Sequence, residues 1–82
     1  MISEYDIDRA IDKVLHLAST DENFRALLLN SPKKALAQWE NELGKGQLPS
    51  QSRKRLLDAI RTTKPLTLEN VSRKLAEQMT YQ

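Results

Sequence analysis

The chain reads as an all-α fold, a single small domain of four to five short helices spanning its 82 residues. Two observations carry that reading. Apolar residues recur at helical spacing in segment after segment, and none alternates with polar residues as a half-buried strand requires. Both glycines and all three prolines fall close to the places where this periodicity breaks, so they mark boundaries between elements.

In the first segment Ile7, Ile11, Val14, Leu15 and Ala18 form one helical stripe. Ser3 is its expected N-cap. Asp6 and Asp8 sit in the first turns, where the positive end of the helix dipole favours carboxylates. Ser19-Thr20-Asp21 breaks the stripe and supplies cap residues for a second, shorter helix to about Leu29. Its face is Phe24, Leu27 and Leu28, and Asn30 is its stop. Ser31-Pro32 is the strongest local signal, a capping hydroxyl directly before a proline at the first helical position, where a missing N–H costs nothing.

The third helix presents Ala35, Leu36, Trp39 and Leu43 and ends before Gly44; residues 44–49 are aperiodic and hold both glycines, so they form the main loop. Ser50 or Ser52 caps a fourth helix through about Thr62, with Leu56, Leu57 and Ile60 inward. Thr62-Thr63-Lys64-Pro65 closes it, because a residue before proline is pushed out of the helical region. Thr67 caps a fifth helix, with Glu69 and Asn70 in its first turn and Leu68, Val71, Leu75 and Met79 inward. The expected core is Leu15, Phe24, Leu28, Leu36, Trp39, Leu57, Ile60, Val71 and Leu75, with Phe24 and Trp39 anchoring either that core or the mouth of a groove.

Eighty-two residues leave room for one core and none for a two-domain enzyme. The absence of cysteine excludes disulfides, cysteine zinc sites, iron–sulfur clusters and thiol nucleophiles. The longest apolar run, Ala26-Leu27-Leu28-Leu29, falls far short of the roughly 18 residues that span a bilayer. Met1-Ile2-Ser3-Glu4-Tyr5-Asp6 lacks the basic and then apolar start of a signal peptide, so a cytoplasmic location without a membrane partner is expected. The formal charge of +2 conceals an asymmetry. Residues 1–43 carry five Lys/Arg against eight Asp/Glu, a balance of −3, and residues 44–82 carry eight against three, a balance of +5. The domain thus divides into an acidic half at 1–43, a loop at 44–49 and a basic helical pair at 50–79.

The inventory for chemistry is thin. His16 is the only imidazole; it lies one turn after Asp12 and reads as a helix-face histidine, because no nucleophile accompanies it. Asp6-Ile7-Asp8 lacks the glycine and glutamate of a calcium loop, and Gly44-Lys45-Gly46 is too short to cradle a phosphate. The expectation is a protein that is not an enzyme, with no catalytic residue, no cofactor and no metal. The basic half offers more: Arg53, Lys54, Arg55, Arg61, Lys64, Arg73 and Lys74, most of them expected to point outward. Two helices joined by Thr62-Thr63-Lys64-Pro65 can form a helix-turn-helix, with Asn70, Arg73, Lys74 and Gln78 as base-edge readers, so nucleic acid is one candidate partner. An acidic protein or peptide is another on the same electrostatic grounds.

The run from Ala18 to Ala37 places an acidic cap before Phe24-Arg25, then a leucine pair, a small cap before Pro32, and Ala35-Leu36. It resembles the leader segment related to the nitrile hydratase alpha subunit, and is similar to a run in the small helical subunit of protocatechuate-type ring-opening dioxygenases. In the first family the segment fronts a ribosomally made peptide and is gripped by the enzymes that modify it. The resemblance covers about a quarter of the chain. It implies that Phe24, Leu27, Leu28, Pro32, Ala35 and Leu36 are docking or helix-packing residues. The resulting expectation is a non-catalytic recognition module, or a leader-like small protein, that docks on a larger protein such as a peptide-modifying or ring-opening enzyme. The alternative is a small basic regulator that binds nucleic acid.

Overall fold

Five helices build the all-α domain of the computed structural model, which describes residues 4–42 and 48–78. They are α1 (Glu4–Thr20), α2 (Glu22–Asn30), α3 (Pro32–Asn41), α4 (Ser50–Thr62) and α5 (Leu68–Gln78), and no strand occurs among the described residues. α1 packs against α2, α4 and α5, while α4 packs against α1, α3 and α5, so these two helices hold the centre. The shortest dimension is 19 Å, which accommodates two layers of helices.

The α1 stripe enters the core as expected: Ile7, Ile11, Val14 and Ala18 are buried against Phe24 and Leu28 of α2, and Ala35, Leu36 and Trp39 of α3. Leu56, Ala59 and Ile60 of α4 and Val71 and Leu75 of α5 close it. The Phe24 and Trp39 rings meet at 6.2 Å between centroids, within the range of a favourable aromatic pair. Two expected core members are corrected. Leu15 and Leu57 are half-buried at the edge, because each follows a residue that already takes the centre, Val14 and Leu56, and is turned about 100° around its helix. Leu48, from the segment read as a plain loop, is instead buried.

Two helix junctions consist of one residue each. At Asp21 the N–H donates to the Leu17 carbonyl at 2.9 Å and the carbonyl accepts from Arg25 at 2.9 Å. Its carboxylate accepts from the N–H groups of Asn23 and Phe24 at 2.9 and 3.1 Å, the expected cap. Ser31 repeats the backbone pattern, donating to Leu27 at 2.7 Å and accepting from Ala35 at 3.0 Å. Its hydroxyl, however, makes no capping bond, a correction to the sequence expectation. With ψ at 71° and its N–H already closing α2, Ser31 serves two helix ends through its backbone, and Pro32 alone eases the start of α3.

The start of α4 also differs. Pro49 is the N-cap, with its carbonyl accepting from Arg53 N–H at 3.1 Å, and neither expected serine caps the helix. Ser52 is fully buried and its hydroxyl donates to the Ile7 carbonyl of α1 at 2.9 Å. α3 ends at Asn41, earlier than expected, where Glu42 N–H donates to Gln38 at 2.8 Å. Leu48 N–H donates to the Glu40 carboxylate at 2.7 Å, which ties the residues before α4 to α3. At α5 the Thr67 hydroxyl accepts from Asn70 N–H at 3.1 Å, as expected of its cap. The expectations at Ser3, Leu43, residues 44–47, the side chain of Gln78 and Met79 fall outside the described residues.

Candidate protein-docking groove

Two of the three cations in the basic run of α4 are engaged by carboxylates of neighbouring helices. The Arg53 guanidinium pairs with the Glu40 carboxylate of α3, and Arg55 pairs with Asp8 of α1 at 3.2 Å. The Arg55 and Asp8 side chains are only 25% and 14% exposed, so this pair lies in the seam between the two central helices. The expectation of outward cations is therefore corrected at Arg53 and Arg55. A central helix has acid-bearing neighbours on two sides, and its cations reach them. Arg61 pairs with Asp58 at 3.2 Å and Arg73 with Glu69 at 3.7 Å, both along their own helices. Lys54, Lys64 and Lys74 make no ion pair among the described residues. Asn70, expected to read bases, gives its side-chain amide to the Pro65 carbonyl at 2.9 Å.

The six positions of the leader-like run divide between two roles. Phe24, Leu28, Ala35 and Leu36 are buried, and they pack α2 and α3 onto the rest of the molecule. Leu27 is half-buried at the core's edge. Pro32 reaches a surface groove of about 750 Å³, whose walls also include Leu29, Leu57, Ile60 and Leu66. Leu66, in the α4–α5 connection, is 40% exposed, one of only two large hydrophobic residues that are so exposed among the described residues. The rim carries Lys33, Lys34 and Arg61, and no carboxylate lines the groove among the described residues.

Sequence reasoning assigned no role to Leu29, Lys33, Lys34 or Leu66, although one signal was present. Lys33 and Lys34 occupy the first turn of α3, which has no acidic residue. There the helix dipole disfavours cations, by roughly 0.3–1 kcal/mol each at low salt. Neither lysine finds an ion-pair partner among the described residues.

A second depression of about 500 Å³ lies over Trp39, between Arg9, Asp12, Lys13, His16 and Leu17. Its charges are mixed, and Asp12 and His16, one turn apart, form no ion pair with each other. No cluster of three or more metal-ligating side chains occurs, and no helix is long and apolar enough to cross a membrane, among the described residues. Comparison of the chain with protein-family models, curated proteins and solved structures returns no significant match.

Proposed function

We propose that this chain is a non-catalytic protein-recognition module that docks on a larger protein through the groove between α3 and α4. The observation that carries the reading is the contiguous apolar lining of Leu29, Pro32, Leu57, Ile60 and Leu66 inside a rim of Lys33, Lys34 and Arg61. Exposed Leu66 standing beside half-buried Leu29, Pro32 and Leu57 gives a small apolar recess that can seat apolar side chains of a partner. The leader-like run contributes Pro32 directly, and its buried members set the α2–α3 corner that forms one wall. A peptide-modifying or ring-opening enzyme is the kind of larger partner that the resemblance implies. The nucleic-acid alternative draws less support, because Arg53 and Arg55 are already engaged by Glu40 and Asp8.

A photo-crosslinking amino acid placed at Leu66, and separately at exposed Asn23 on α2, tests this reading in cells that make the protein. The expected result is a discrete adduct with one larger protein from position 66 and none from position 23. Equal labelling from both positions, or nucleic-acid adducts alone, would remove the recognition reading.

A further inference from the structure

We infer that the occupant of the α3–α4 groove is a short amphipathic α-helix of a partner protein, apolar on one face and rich in carboxylates along its flank. The inference rests on the recognition reading above and names the partner's chemistry. Shape is the first argument. A shallower depression lined by Lys33, Ala37, Glu40, Arg53 and Leu57 shares Lys33 and Leu57 with the main groove, so the apolar surface continues along α3. α3 has ten residues and is about 15 Å long, which matches roughly ten residues of a docked helix with apolar anchors at i, i+3 or i+4, and i+7.

Charge supplies the second argument. Lys33 and Lys34 lack ion-pair partners among the described residues, and the Arg61–Asp58 pair is so exposed, at 74% and 45%, that Arg61 can turn to another carboxylate at little cost. Glu40 is the one carboxylate in the adjoining depression, and it is already occupied by Leu48 N–H and Arg53. The surface along the groove is therefore positive and complementary to acids.

Other occupants fit less well. Every buried side-chain polar atom among the described residues has a partner, so none waits inside to orient a small polar ligand. A second copy of this chain offers Tyr5 and Leu66 as its only exposed large hydrophobics among the described residues, and Tyr5 already stacks under Arg9 at 6.0 Å.

Selection of a displayed random-peptide library against the full chain tests the inference. Recovered peptides should combine Glu or Asp with Leu, Ile or Phe at helical spacing and should lose binding when a proline is placed at their centre. Their affinity should fall at least tenfold against Lys33→Glu plus Lys34→Glu, and again against Leu66→Ser. These positions lie outside the core, and circular dichroism with urea denaturation checks that the variants fold. Peptides that respond to Leu66→Ser but not to the lysine reversal overturn the acidic helix while leaving the recognition reading intact. Neutral or basic consensus sequences, peptides indifferent to both variants, or no enrichment also overturn it. So does a dimer in sedimentation that dissociates on Leu66→Ser, or displacement of the peptides by duplex DNA.

Discussion

Asp21 and Ser31 occupy equivalent one-residue junctions, yet only Asp21 caps a helix with its side chain. Asp21→Ala should therefore lower stability by about 1 kcal/mol, whereas Ser31→Ala should stay within about 0.5 kcal/mol of the parent in urea denaturation. Glu40 is the residue with the most concentrated structural role. One carboxylate receives Leu48 N–H and also pairs with Arg53 near the start of α4. Glu40→Ala should cost about 1–3 kcal/mol, because a mostly buried charged acceptor is lost from a backbone donor as well as from an ion pair. Arg53→Ala should cost less than about 1 kcal/mol, since its side chain is 41% exposed and the Leu48 bond survives. Equal losses for the two variants in the same urea titration would show that the ion pair, and not the backbone tie, holds this corner.

At the scale of elements, α4 separates stability from recognition along adjacent positions. Leu56 is fully buried, whereas Leu57 is half-buried and lines both the groove and its extension. Leu56→Ala should cost about 2–5 kcal/mol, enough to leave an 82-residue domain partly unfolded. Leu57→Ala should cost less than Leu56→Ala while weakening any groove-bound peptide by tenfold or more; matched thermal melts and peptide titrations of the two variants check this division. The Ser52 hydroxyl holds the same helix in register with α1 through the Ile7 carbonyl. Ser52→Ala should accordingly cost about 1 kcal/mol, measured in urea, despite removing no apolar contact.

For the whole molecule, the separation of charge between the two halves becomes an internal attraction. Acids of α1 and α3 meet the cations of α4, so the excess of +5 in residues 44–82 is partly neutralised where the halves join. Arg53→Ala plus Arg55→Ala should therefore lower stability, by about 1 kcal/mol for two partly exposed pairs. It should leave duplex DNA binding unchanged. A steep loss of DNA affinity in the double variant, together with strong dependence on salt, would instead place these cations on a phosphate-binding surface.

The all-α class, the order of the helices and most of the inward face were readable from the chain because periodicity, proline position and capping act over three or four residues. Asp21, Pro32 and Thr67 sit at helix starts for reasons present in their immediate neighbours. Other assignments depended on partners distant in sequence. Arg53 and Glu40 are 13 residues apart, Ser52 and Ile7 are 45 apart, and Arg55 and Asp8 are 47 apart. A local pattern shows that a residue is charged or hydroxylated without showing what it will face. The seam therefore engaged two of the seven cations, Arg53 and Arg55, with carboxylates of neighbouring helices, and it turned an expected cap, Ser52, into a tie between helices. The groove followed the same logic. Pro32 was visible in the leader-like run, but Leu29, Leu57 and Leu66 became one apolar surface only when α2, α4 and the α4–α5 connection packed around α3.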